Sequence, residues 1–343
     1  MRSPKVVCLG VHLLDVLVRP AGDIDLTAGW QLLEDLRITA AGTAAGPAVD
    51  LAKLGARPVS MGVIGDDYEG DRVVELMTGH GVDVGRLVRA AGEPTHVSLL
   101  FIGADGERNP IMIRPGPRRP LTLADVDLDL VGEADVLHIG GADQLGEFID
   151  GPLVELIRLA RARDVLVTVD ILAQCDEAML DRLAPALREA GFFFPNEGQV
   201  AGMTGTDDPS AGAARLRELG VGTVVATLGG AGSLVAGPEV ETRVPAIEIE
   251  LVDTTGCGDA YVAGFIVAAA NGWDAEAAGW LGAAASALVA TGLGSDSGIV
   301  DLPSTLEFLA ARAPERIAAL ARANPPLAPP SVGAARSTDV TTS

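Results

Sequence analysis

The chain has 343 residues, 48% of them apolar and only 3% aromatic, so its core must be built mainly from Ala, Val, Leu and Ile. A formal net charge of −22 argues against a nucleic-acid groove, which needs a clustered basic face. Cys8, Cys175 and Cys257 are odd in number and far apart, which suits a reducing compartment and gives no metal spacing.

The start "MRSPKVVCLG" carries no long apolar run, and the apolar stretch at 262–270 is too short to span a bilayer. These features lead us to expect a cytoplasmic protein with no membrane partner. Short Val/Ile/Leu-rich runs then alternate with Ala/Leu/Arg-rich segments. "KVVCLGV", "VSMGVIG", "ADVLHIG", "VLVTVDI", "GFFFPN" and "TVVATLG" read as buried parallel strands. Between them "PAVDLAKLG", "DRVVELMTGHG", "PLVELIRLARARD", "EAMLDRLAPALREAG" and "SAGAARLRELG" have apolar residues at helical spacing. The alternation predicts an α/β fold: a doubly wound, mostly parallel sheet with helices on both faces. Its ligands would bind outside the carboxyl ends of the strands.

Two segments break the pattern. "THVSLLFIGADGERNPIMIRPG" reads as a hairpin around Asp105-Gly106. The stretches 13–40 and 95–115 together predict a small second sheet, a lid over the site, whose edge is a candidate for pairing in a homodimer. Residues 1–323 are expected to form one α/β domain. The Pro-, Ser- and Thr-rich tail 324–343 is expected to be disordered.

"ELVDTTGCGD" ends in small residues where the apolar helix "AYVAGFIVAAA" begins. The amides of Gly256, Cys257 and Gly258 are therefore expected to point out of a helix N-terminus, an anion site. Asp259, in the first turn, would sit beside a bound phosphate, where it could accept a proton from an attacking hydroxyl. A capping role would explain Asp259 alone and leave Asp253 and both glycines without a reason. The helix N-terminus could lower the Cys257 thiol pKa, but the anion site needs only its amide, and its side chain is expected to be inert. Upstream, Pro47 can take the first position of a helix, so Gly42 to Gly46 would lead into an N-terminus and offer amides to a ligand. "TLGGAGS" follows a strand, and Gly229 and Gly232 would let the backbone approach a nucleotide; a plain hairpin turn is the competing reading.

"DTTGCGDAYVAGF" resembles the D-T-x-G-x-G-D signature of the ribokinase-like (PfkB) carbohydrate kinases. Further blocks from residue 6 to about 310 resemble that family in the same order: "VVCLGVHLLDVLV", "AAGTAAGPAVDLAKLGA", "GVIGDDYEGDRVVELMTGHGVDV", "FFPNEGQV" and "ATLGGAGSLV". The resemblance implies that Asp259 is the catalytic base and that Gly256, Cys257 and Gly258 supply the anion hole. It implies that Asp15, with Gly42, Thr43 and Gly46, holds the sugar, and that Asn196, Thr227, Gly229 and Gly232, with Gly256 and Gly258, lie along the nucleotide. Asp253 matches an aspartate near a monovalent-cation site. Glu197 and Gln199 fall where the family has N-x-x-E near magnesium. Gly294 and Ser295, in "TGLGSDSG", are candidate carbonyl donors to the cation. The implied reaction is transfer of the γ-phosphoryl group of ATP to a hydroxyl, a primary one, of a sugar or sugar acid, with Mg²⁺ and a candidate K⁺.

Departures from the family pattern fall mostly around the substrate. Its first glycine is Ala41, its sugar-binding asparagine is Gly46, and its N-x-x-E glutamate is Gln199; "VTVDILAQ" lacks D-P-N but keeps Asp170. Arg108 and Arg114 on the hairpin could pair with an anionic substrate group. His12 and His96 fall on segments that could face substrate, whereas His80 and His138 read as a loop and a strand end. No P-loop G-x-x-x-x-G-K-[ST] occurs, and no G-x-G-x-x-G follows the first strand. A nucleoside or sugar-phosphate kinase of the same family stays open, with Trp30 and Phe101 as the candidate stacking residues. A catalytically weak sugar-binding or regulatory protein stays open as well.

Overall fold

A computed structural model of the chain describes residues 2–20, 27, 29–30, 32–238 and 240–316. The tail 324–343 and part of the expected lid stretch 13–40 lie outside the described residues. In chain order the elements are β1 (Lys5–Gly10), β2 (Leu13–Pro20), β3 (Leu33–Ala41), α1 (Ala45–Lys53), β4 (Arg57–Gly65), α2 (Tyr68–Gly79), β5 (Asp83–Ala90), β6 (Val97–Ile102) and β7 (Arg108–Arg114). There follow α3 (Leu128–Gly132), β8 (Val136–Gly140), α4 (Pro152–Arg161), β9 (Leu166–Asp170), α5 (Glu177–Leu187), β10 (Phe192–Phe194), α6 (Glu197–Thr204) and α7 (Pro209–Glu218). The last are β11 (Thr223–Thr227), β12 (Ser233–Ala236), β13 (Glu241–Val244), α8 (Cys257–Ala270), α9 (Ala275–Val289) and α10 (Leu302–Arg312).

Nine strands form one sheet in the order β13-β12-β11-β10-β9-β8-β1-β4-β5. From β11 to β5 every neighbour is parallel, and only the β11–β12 and β12–β13 pairs, at one edge, are antiparallel. In β1, Val6 and Cys8 enter one core layer with α1, α8 and α9, while Val7 and Leu9 enter the other with α4, α5 and α7. Burial on both faces explains why such strands read as unbroken apolar runs. Chain order reverses beside β1, which has β8 on one side and β4 on the other, so a crevice opens there above the strand ends.

The second sheet has the order β3-β2-β6-β7, with β2 parallel to β6 and the outer pairs antiparallel. Asp15 pairs in register with Ser98, and the period of two puts Leu13, Asp15, Ser98 and Leu100 on one face. That face borders the crevice. The Asp105-Gly106 turn between β6 and β7 docks on the main domain, where the Thr254 amide and hydroxyl both donate to the Gly106 carbonyl at 3.2 Å.

One local expectation is corrected, one turn takes the competing form, and one strand is unanticipated. Helix α1 begins at Ala45, so Pro47 is its third residue, where the first turn still requires no amide partner. "TLGGAGS" is the hairpin turn between β11 and β12, and a Cβ on Gly232 would lie 2.1 Å from the Val244 carbonyl oxygen. Its glycine is therefore required by the β12–β13 corner. Strand β5 was not anticipated, because "DVGRLVRA" is a half-exposed edge strand carrying Asp83, Arg86 and Arg89.

Candidate active site

A cleft of about 460 Å³ lies where the small sheet meets the carboxyl ends of the main strands. Asp15, Ser98 and Arg108 line it from the small sheet, Gly42 and Thr43 from the turn before α1, and Asp170, Asn196 and Thr227 from the ends of β9, β10 and β11. Gly256, Gly258 and Asp259 line it from the start of α8, with Ser295 behind them.

The start of α8 is held by its neighbours. Gly256, the N-cap, is left-handed with φ +80°, and a Cβ there would meet Ser295 Cα at 2.5 Å, so only glycine fits. Asp253 is fully buried: its Oδ1 accepts from the Thr255 amide at 2.8 Å and hydroxyl at 2.7 Å, and its Oδ2 accepts from the Gly294 amide at 2.9 Å. This carboxylate ties the turn at 253–256 to the turn at 291–298. The Cys257 amide donates to the Thr254 carbonyl at 3.3 Å, whereas the first-turn amides of Gly258 and Asp259 have no backbone partner among the described residues. A Cβ on Gly258 would meet nothing within 4 Å, so the space beside this residue is open. The Cys257 thiol does not line the cleft, and burial pushes its pKa up to about 11.

Asp259 is half-buried, its carboxylate rests against Gly46 of α1, and desolvation by its surroundings raises its pKa to about 7. The Arg108 guanidinium works against that rise and the Asp15 charge adds to it. Asp15 accepts from the Ser98 hydroxyl, and burial raises its pKa to about 6. Asp170 accepts from the Gly141 amide at 2.7 Å and is raised well above the usual range by burial and by the Asp259 charge. His138, on β8, holds the Thr43 carbonyl at 2.9 Å and is kept neutral by burial, its pKa lowered to about 4. Three carboxylates therefore face one cleft, and Arg108 is the only Lys or Arg lining it among the described residues.

The residues expected at a monovalent cation and those expected near magnesium lie in separate places. Asp253, Gly294 and Ser295 meet behind α8, whereas Glu197 is exposed on α6 and does not line the cleft. Gln199 lines it, but its side chain is fully used. Oε1 accepts from the Asn196 amide at 2.8 Å, and Nε2 donates to the Ile171 and Ala173 carbonyls, each at 3.0 Å. Asn196 returns the bond to the Gln199 amide at 2.9 Å, completing a capping box. Gln199 is thus a structural staple in place of a magnesium-side glutamate. Gly229 and Gly232 do not line the cleft, nor do Trp30, which is 84% exposed, Phe101, or His12. His96 does line it. Arg114 ends β7, and its side chain lies outside the described residues. Asp170, which sequence reasoning named without a place in the site, is a cleft residue, and so is Arg108, which it offered as a partner for an anionic substrate group; only the register of two separate sheets brings them there.

The pfkB family carbohydrate kinase model matches residues 4–301. The chain belongs to this family. Among its relatives, fructokinase-1 of Oryza sativa subsp. japonica is 27% identical over 270 residues, covering 76% of this chain and 81% of that one. The deoxyribokinase of Salmonella typhi is 26% identical over 286 residues, covering 80% and 88%, and a nucleoside kinase of Methanothermobacter thermautotrophicus is 27% identical over 266 residues, covering 76% and 81%. The fold is shared with the Arabidopsis thaliana ribokinase solved with ribose and ATP, at TM-score 0.74 and 24% identity over 90% of this chain and 99% of that one. It is shared equally with the adenosine kinase of Sinorhizobium meliloti, at TM-score 0.74 and 22% identity over 92% and 100%. Among the described residues no helix is long and apolar enough to cross a membrane.

Proposed function

We propose that the chain transfers the γ-phosphoryl group of ATP to a hydroxyl of a neutral sugar, with Asp259 as the base. The observation that carries this reading is the position of Asp259: a half-buried carboxylate of raised pKa, in the first turn of α8, beside first-turn amides without a backbone partner and across a cleft from Asp15 and Asp170.

ATP with Mg²⁺ on its phosphates would supply an electrophilic phosphorus, the metal being carried mainly by phosphate oxygens and water. The Gly258 and Asp259 amides and the α8 dipole would hold the transferring group, while Asn196 and Thr227 border its approach. Asp15 and Asp170 would accept hydrogen bonds from sugar hydroxyls and leave one hydroxyl aimed at Asp259. As that oxygen attacks, its proton passes to an Asp259 oxygen, and a pKa near 7 suits the transfer at neutral pH. The amides act where negative charge grows, so their effect is greatest in the transition state. The small sheet would serve as a lid, and its Gly106 contact with Thr254 links its position to the turn before α8.

Substrate charge follows from the walls. Among the described residues three carboxyl groups and a single guanidinium line the cleft, a set rich in partners for hydroxyl groups and poor in cations for an anionic substrate. The test is ADP formation with ATP and Mg²⁺ across ketoses, aldoses, sugar acids, sugar phosphates and nucleosides, with and without K⁺. A signal that requires a neutral sugar and disappears in Asp259→Asn is expected. Wild-type turnover in that variant would refute the role of Asp259, and sugar binding without ADP would favour a binding protein.

A further inference from the structure

Helix α1 carries a buried carboxylate that the proposed reaction does not use. Asp50 is fully buried, and neither of its oxygens has a hydrogen-bond partner among the described residues. It stands one turn after Gly46, which touches Asp259, and three residues before Lys53 on the same helix. An isolated carboxyl group at this depth is neutralised by a proton or balanced by a nearby cation. Burial raises the Asp50 pKa well above its usual value, and the Lys53 ammonium opposes that rise.

Lys53 does not line the cleft. Its ammonium donates to the backbone carbonyl of Asp296, and the side chain of Asp296 is occupied by Arg37 of β3 at 2.9 Å and by His80 at 3.3 Å. That carbonyl belongs to the turn 291–298, the same turn whose Gly294 amide is held by Asp253 and whose Ser295 is packed on Gly256. A line of contacts thus runs from Asp50 and Lys53, through the turn, to the cap of α8.

We propose that Lys53 is a positioning residue for phosphoryl transfer: its ammonium pins the 291–298 turn, which holds the Gly256 cap and with it Asp259 and the anion-binding amides. The inference rests on the phosphotransfer reading of the site. It assigns the buried charge on α1 a task that a neutral helix face could not perform, because a backbone carbonyl with its amide already directed elsewhere can be held from this side only by a donor.

Lys53→Met keeps the side-chain length and removes the donor, but it also removes the ammonium that favours the ionised form of the buried Asp50. The Asp50→Leu, Lys53→Met double variant separates folding from positioning, since apolar replacement of buried ionisable groups is often neutral or stabilising. The double variant is expected to melt close to the wild-type temperature, while kcat falls about 100-fold and the sugar KM changes by less than about threefold. Amide hydrogens of 291–298 are expected to exchange faster in the ligand-free protein of either variant. Lys53→Arg, which retains a cationic donor, is expected to recover most of kcat. Wild-type kcat in a stable double variant, or unchanged exchange at 291–298 in Lys53→Met, would overturn the proposal while leaving the Asp259→Asn result intact. Absence of ADP formation in the wild type would refute the kinase reading instead, and the exchange comparison would still decide whether Lys53 pins the turn.

Discussion

Gly46 and Asp259 are packed so closely that a Cβ on Gly46 would lie 2.4 Å from Asp259 Oδ2. The obstructing atom is the far end of a side chain, so a larger residue would turn the Asp259 carboxylate and leave the backbone in place. Gly46→Ala gains up to about 1 kcal/mol of helix propensity, which offsets the crowding. The expected outcome is a melting temperature near wild type with turnover reduced by about 10- to 100-fold, read from melts and ADP assays on one preparation.

The pH profile reports the same carboxylate. With a pKa of about 7 in the free protein, Asp259 must lose its proton to act as base, so kcat/KM should rise through pH 7 and level off above it. The Arg108 charge favours the ionised form, so Arg108→Met should move the rising limb to higher pH. A limb that stays in place would show that Arg108 does not act on Asp259.

Stability should move in the opposite sense. The folded pKa of Asp259, about 7, lies above its reference value of 3.8, so between roughly pH 4 and 7 the folded state holds a proton that the unfolded chain has lost. This contribution is present at low pH and is lost as pH rises through that window. Asp259→Asn cannot ionise and should be more stable than wild type at pH 8, by on the order of a few kcal/mol, with the gap closing toward pH 4. Denaturant titrations at both pH values check the sign.

Gln199→Glu would restore the residue that the family pattern has at this position, yet it should harm this chain. The two hydrogens that Nε2 gives to the Ile171 and Ala173 carbonyls have no equivalent on a carboxylate, which would face both oxygens with its charge. A loss of about 2–4 kcal/mol in stability with no gain in turnover is expected from denaturant melts and kinetics.

The strands of the main sheet were legible because burial on both faces leaves continuous apolar runs such as Val6 to Leu9. The β12–β13 pair was not, since four-residue strands carry too little pattern. "DTTGCGD" was legible because the α8 cap is local in sequence. The contacts that complete the site are long-range: Arg108 and Asp170 converge only through two sheets, and Gly46 meets Asp259 only through the packing of α1 on α8. Asn196 and Gln199 had the spacing of a capping box, a signal available from the sequence but outweighed by the resemblance to N-x-x-E.

The three aspartates of the cleft bear differently on the two ends of a turnover. In the proposed reaction a neutral sugar would be held by Asp15 and Asp170 through hydrogen bonds to its hydroxyls, but its phosphorylated form carries close to two negative charges at neutral pH. Among the described residues Arg108 is then the only guanidinium facing that dianion from the walls. Asp15, with a pKa of about 6, is ionised at neutral pH and repels the dianion, while Asp259 ends the transfer protonated. The walls that retain the sugar would therefore expel what it becomes, and feedback inhibition by accumulated product should be weak.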